Sequence, residues 1–447
     1  MSIIRGMKPK GRNLRIGAAA VSLLLLAACQ KDDPKPPPAL NTPEITEFSV
    51  SPTELAVGES ATYSWQVSES GAVCALDIGD DGTAEYTLGC DAGSQTHTFS
   101  VAGSFPATLN VSVGEQTSSR TAPVVTAEAE TGTDVAFSEI AWRPTQAIDY
   151  GVAEAQSAVV GDKFYIFGGF DSRSPYGCCR PTDRAFSFDP ATETWAALAP
   201  LPQMNGTEYS GLNHGGFTTD GEDIFFAGGY TSNAKNKQHI FGTTEVWRYN
   251  VADDSYTRLP DLPESRGSGV MEYLGGKLYF FGGSVLGRKT DTGELFILDL
   301  STEGAAWSEG EAMPNPRNHL ASAVLDGLIY AIGGQHDHDG KLTTQADVHT
   351  YDPGTDTWAQ VASLPKAISH HTNSTFVVGG RIIVMGGEVD HLKGIDDVVA
   401  YDPETDVWSE LTPMPVAAVD PVAGYVGGEI VVTKGWKTKA FIGTPLE

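Results

Sequence analysis

The sequence predicts an all-β protein in two parts, a small sandwich and then a larger array of repeats. Three observations carry this. Five glycine pairs, at 168–169, 228–229, 282–283, 333–334 and 386–387, each end a four-residue apolar run and are spaced 60, 54, 51 and 53 residues apart. After each pair come a variable loop, an apolar or aromatic residue joined to Asp or Asn, and then Trp or Tyr. Residues 44–127, by contrast, alternate apolar and polar positions in short segments separated by turn residues.

The chain has 447 residues, room for two or three domains. Its first residues belong to no fold. Arg5, Lys8, Lys10, Arg12 and Arg15 precede an apolar run at 21–28 that is too short to anchor a bilayer. The run ends Leu26-Ala27-Ala28-Cys29, which resembles the bacterial lipobox. That resemblance implies a signal peptide over 1–28, diacylation of Cys29 and, with Gln30 next, sorting to the outer membrane of a cell envelope.

Removing residues 1–28 takes the formal charge from −28 to −33. Such a balance argues against nucleic acid and against anionic lipid surfaces, so membrane contact is expected through the lipid alone and the chain as a monomer. Four cysteines then remain, and export permits their oxidation. Three pairings are possible, and the sequence favours Cys74 with Cys90 and Cys178 with Cys179.

Residues 29–43 are Pro-rich and polar and read as an extended tether. Residues 44–127 have the length and strand pattern of an immunoglobulin-like β-sandwich, with Cys74–Cys90 as its staple. The segments around Leu76-Asp77 and Thr96–Val113 resemble the polycystic-kidney-disease (PKD) domain, although Leu76 stands where that family has Trp. Asp77, Asp80 and Asp81 are read as an Asx-rich turn in preference to a calcium loop. A linker at 128–134 follows.

The repeats occupy residues 135–447. Runs such as Phe164–Phe167 and Ile329–Ile332 are apolar throughout, as strands sandwiched between neighbouring sheets must be. Phe188-Asp189, Tyr249-Asn250, Leu298-Asp299, Tyr351-Asp352 and Tyr401-Asp402 mark the third strand, and Trp195, Tyr256, Trp307, Trp358 and Trp408 the fourth. A period near fifty with Gly-Gly, Tyr-Asp and Trp resembles the kelch repeat, which implies one four-stranded propeller blade per unit. A sixth blade is expected from the ends: residues 423–434 supply its inner strands and residues 136–144, with Trp142, its outermost one. The fold class is therefore a six-bladed kelch β-propeller preceded by a small PKD/immunoglobulin-like β-sandwich.

In such blades the loop after each glycine pair shares a face with the entry to each innermost strand. Fourteen residues before the first glycine stand Glu154, His214, Ser268, His319 and Thr372, with Asp420 as the sixth equivalent. Arg266, Arg317, His370 and His371 lie just upstream of these, and His239, His336, His338 and His391 fall in loops of the same face. His336 and His338, two apart in an extended segment, are expected to point the same way. The pattern points to a ligand mouth lined by His214, Arg266, Arg317, His319, His336, His338, His370, His371 and His391.

A glycan or a partner protein is the expected ligand, and binding is favoured over catalysis. No cofactor is expected; a metal ion fits the histidines, but the spacing is no local metal motif. The catalytic alternative, with Glu154 or Asp420 as acid or base, resembles the bacterial sialic-acid mutarotase, also a kelch propeller. A copper oxidase resembling galactose oxidase needs Tyr and Cys at the strand entries, and neither is there.

Overall fold

A computed structural model describes residues 42–446 except 57–59, 80–81, 100–102, 115, 129–136, 149–150, 172–180, 205–210, 233–238, 286, 303 and 434–437. The signal segment, Cys29, nearly all of the tether and the 128–134 linker, Asp80, Asp81, Cys178 and Cys179 lie outside the described residues. Among the described residues every regular element is a strand or a single 3-10 turn, and no helix is long and apolar enough to cross a membrane.

Among the described residues the N-terminal region forms three sheets. Val73–Ile78 sits between Tyr86–Gly89 and Ala107–Val113, with Gln116–Thr121 at the edge; Ser60–Val67 pairs Ile45–Ser51 and Ser94–Thr98; Val125–Glu128 pairs Glu54–Ala56 and Gly103–Phe105. Their inward residues, among them Phe48, Tyr63, Trp65, Leu76, Leu109 and Val111, share one core. Cys74 and Cys90 are disulfide-bonded within it, and Trp65 Nε1 donates to the Cys90 carbonyl at 3.0 Å. A cross-link of this loop length restricts the unfolded chain by about 2–4 kcal/mol. Asp77 is buried and accepts the Gly82 N–H at 3.0 Å, as a turn-closing aspartate does.

From Glu139 onward, six four-stranded antiparallel sheets follow among the described residues. The second runs Gly216–Thr219, Asp223–Ala227, Val246–Asn250 and Ser255–Leu259, each strand pairing the next. The last joins the two ends of the repeat region, because Glu139–Thr145 pairs Ala440–Leu446 with Trp142 opposite Gly443. Apolar clusters join each sheet to its neighbour. The ring closes where Phe164, Ile166 and Phe188 of the first sheet pack on Val422, Val431 and Ile442 of the last.

Two repeat residues tie sheet to sheet in the same way each time. Trp358 Nε1 donates to Glu311 O and Trp408 Nε1 to Ala362 O, both at 2.8 Å, and Tyr256 Oη does the same to Ala199 O at 2.8 Å. Tyrosine is therefore a working substitute for Trp in the second unit. The glycine pairs make the inner joint. Gly334 N–H donates to Ile368 O of the next sheet at 2.9 Å, and a Cβ on Gly333 would stand 2.8 Å from that same oxygen. With φ of 54° and 106°, both positions also require the left-handed backbone that glycine tolerates best.

Candidate functional site

At the entry to the innermost strands, one residue in each of five of the six sheets leaves strand geometry. Glu154, His214, Ser268, His319 and His370 have φ of 53°, 53°, 57°, 49° and 57°. None is glycine, so each costs on the order of 1 kcal/mol of backbone strain. Hydrogen bonds between sheets hold them: Ser268 N–H to His214 O at 2.8 Å, His319 N–H to Ser268 O at 3.0 Å and His370 N–H to His319 O at 3.1 Å. In the sixth unit a side chain replaces the carbonyl, and Glu154 N–H donates to Asp420 Oδ2 at 2.9 Å. The expected equivalent in the fifth unit, Thr372, is corrected to His370. A 3-10 turn at Thr372–Ser374 inserts two residues and shifts the count.

Glu154, His214, His319, His370 and Asp420 form the floor of a cavity of about 350 Å³. His214, His319 and His370 bring ring nitrogens within 4.8 Å of one another. Glu154 stands beside them, with Oε2 2.5 Å from His214 Nε2 and Oε1 3.7 Å from His370 Nε2. The outer nitrogens are anchored. His214 Nδ1 meets Asn213 Oδ1 at 2.9 Å, His319 Nδ1 meets Asn318 Oδ1, and His370 Nδ1 meets Glu388 Oε2 at 2.8 Å. These oxygens only accept, so each Nδ1 carries the hydrogen; on the inner side the Nε2 atoms of His214 and His370 face Glu154, and His319 Nε2 meets Ser268 Oγ at 3.3 Å.

The charges on the floor are uneven. Burial presses His319 well below the usual histidine range, aided by His370 and His214, and burial lowers His338 to about 4. Burial opposes ionisation of Glu154 but loses to His214 and His370, which hold it below the ordinary carboxylate range. Asp420 goes the other way, raised well above that range by burial and by the Glu154 charge. Burial also works against a charged His370, yet Glu388 and Glu154 raise it.

Of the sequence-predicted residues, His214, His319, His338, His370, His391, Glu154 and Asp420 line this mouth. Arg266, Arg317 and His371 do not, which corrects their assignment to the ligand surface. All three are fully buried. The Arg317 guanidinium is spent on the carbonyls of Gly333 (2.6 Å), Ala331, Pro314, Asn315 and Asp347, and Arg266 ion-pairs Glu294 and stacks on Phe296. His371 Nε2 meets Ile332 O at 3.2 Å. The repeat gives the reason. Leu212, Ile368 and Ala418 occupy the arginine column in other units, and Ala155, Leu320 and Pro421 the His371 column. These columns face the fold.

His336 and His338 part company because Asp337, at φ 58°, turns the chain between them. His336 Nδ1 lies 3.5 Å from Asp291 on the rim, while His338 sits 5.4 Å from the His319 ring. Sequence reasoning missed Phe170, Tyr230, Gln335 and Glu388, the residue after the glycine pair in four units, all of which line the mouth. That column was open to inspection. Arg288, which also lines it, lies 4.1 Å over the Phe241 ring from a variable loop and carried no signal.

Comparison with known families bears on the repeats. The profile described as "KLHDC2/KLHL20/DRC7 Kelch-repeats domain" matches residues 243–432, and that described as "Kelch motif" matches 153–202. The chain carries kelch repeats. Kelch-like protein terF of Aspergillus terreus is 29% identical over 56% of the chain and 52% of its own length. Kelch-like protein 35 of Mus musculus is 24% identical over 56% of the chain and 37% of its own length. Beta-scruin of Limulus polyphemus is 26% identical over 33% of the chain and 17% of its own length. The kelch chain thus spans about half the length of these relatives or less, and the likeness bears on the repeats.

Proposed function

We propose that this is an exported protein, held by lipid at Cys29 to a bacterial envelope, in which a PKD/immunoglobulin-like sandwich presents a six-bladed kelch propeller as a monomer. The propeller binds a saccharide in its histidine-rich mouth. The observation that carries the reading is the cavity's make-up. Its volume of about 350 Å³ suits a small ligand, and its lining sets the aromatic side chains of Phe170, Tyr230 and Phe241 beside the polar floor and Arg288. A glycan chain end needs that pairing of flat apolar face and directed hydrogen bonds. A protein partner is the second reading, favoured by Leu392, which lies on the rim with 69% of its surface exposed.

A sugar mutarotase or epimerase remains the catalytic alternative. It is favoured by Glu154 and Asp420, adjacent carboxyl groups driven in opposite directions, as a base and an acid on one substrate would be. A glycan array with the mature protein, followed by NMR anomer-exchange measurements on each bound sugar, separates the readings. Binding without accelerated exchange supports a recognition module. Exchange abolished by Glu154→Gln or Asp420→Asn, with binding retained, makes the protein an enzyme. An empty array with capture of a purified envelope protein moves the reading to protein recognition.

A further inference from the structure

We propose that His214, His319 and His370 bind one divalent first-row transition ion, of the zinc type, at the floor of the mouth. Three different sheets contribute one imidazole each, and the donor nitrogens already lie within 4.8 Å of one another. In a tetrahedral site with metal–nitrogen bonds of about 2.0–2.1 Å, donors stand roughly 3.4 Å apart, so each ring has about an ångström to move. The rings are in mutual contact, with centroids 4.2 Å apart for His319 and His370 and 4.8 Å for His214 and His319.

Proximity alone would be a thin argument; the outer hydrogen bonds add to it. A metal-binding histidine needs one bare nitrogen towards the ion and its other N–H held by an acceptor. All three meet the second condition, through Asn213, Asn318 and Glu388 respectively. Asn213 and Asn318 directly precede their histidines, and their own backbone bridges pair them to Tyr230 and Gln335, so the acceptors are fixed by the sheet ladder. Three imidazole donors with one carboxylate nearby, Glu154, suit a borderline ion and not calcium or magnesium, which want oxygen. Three protein ligands leave the fourth position towards the cavity, open to a hydroxyl or carboxylate of whatever occupies the mouth. The site stands independently of the saccharide reading.

The test uses the mature chain, stripped with a chelator, loaded separately with Zn2+ and Co2+ and freed of unbound ion by gel filtration. Elemental analysis is expected to find one ion per chain, and Co2+ to give the intense visible absorption of four-coordination. His319→Ala and His214→Gln should weaken Zn2+ binding at least 100-fold, and Asn318→Ala by 10- to 100-fold through loss of the ring's anchor. His97→Ala, in the N-terminal sandwich, should bind Zn2+ as the wild type does. Where His319→Ala does not fold, a zinc-induced rise in the wild-type melting temperature that vanishes in His214→Gln serves in its place. Wild-type protein that retains no stoichiometric ion, or His214→Gln and Asn318→Ala variants that bind as tightly as the wild type, overturns the proposal.

Discussion

The two ends of the central channel use the same inner strands and differ in chemistry. At the mouth, left-handed residues turn Glu154, His214, His319 and His370 inward. Further along, the strands run on in regular pleat and line a second cavity of about 330 Å³ with Ser157, Thr218, Ser322, Phe217, Tyr273, Phe376, Tyr425 and one carboxylate, Glu272. The volumes are alike; the charge is not. In a fold made of repeats, the strand body repeats its packing. Ligand chemistry gathers where the backbone leaves the strand.

Substitutions on the two sides of this division should therefore behave differently. The largest effect is expected at Arg317, two residues from His319 yet wholly on the packing side. Arg317→Ala strands several buried carbonyls and should cost about 3–5 kcal/mol of stability in denaturant unfolding. Loss of ligand binding with stability unchanged would return the arginine to the mouth.

Glu272 gives a smaller effect at the other end. Burial raises its carboxyl from 4.5 to about 7. The folded protein therefore keeps this proton in a range where the unfolded chain has released it. The stability it contributes is complete below pH 4.5 and is lost as pH rises through about 7, by up to roughly 3 kcal/mol. Glu272→Gln should flatten that limb in melts recorded from pH 4.5 to 8, and identical pH profiles would show that the carboxylate is solvated like one at the surface.

Much of this was legible in the sequence, because repetition turns one chain into an alignment of itself. The glycine pairs, the Tyr-Asp and Trp columns and the joining of residues 139–144 to the C-terminal strand all follow from the period. The mouth was legible as a face and less so as a list. Arg266, Arg317 and His371 failed because polarity was weighed residue by residue, while their columns hold Leu212, Ile368 and Leu320 elsewhere. The fifth unit failed through the two-residue insertion at Thr372–Ser374, which a fixed offset cannot see. Arg288 and the anchoring of each His Nδ1 depend on loop path and rotamer, and neither leaves a mark on spacing.

The central claim, that the mouth and not the far cavity receives the ligand, is tested most directly by titration calorimetry with an array-identified saccharide. Arg288→Ala, which removes the cation that lies over Phe241, should weaken binding at least tenfold, and Glu272→Gln should leave it unchanged. The reverse pattern, or affinity that neither variant alters, contradicts the account.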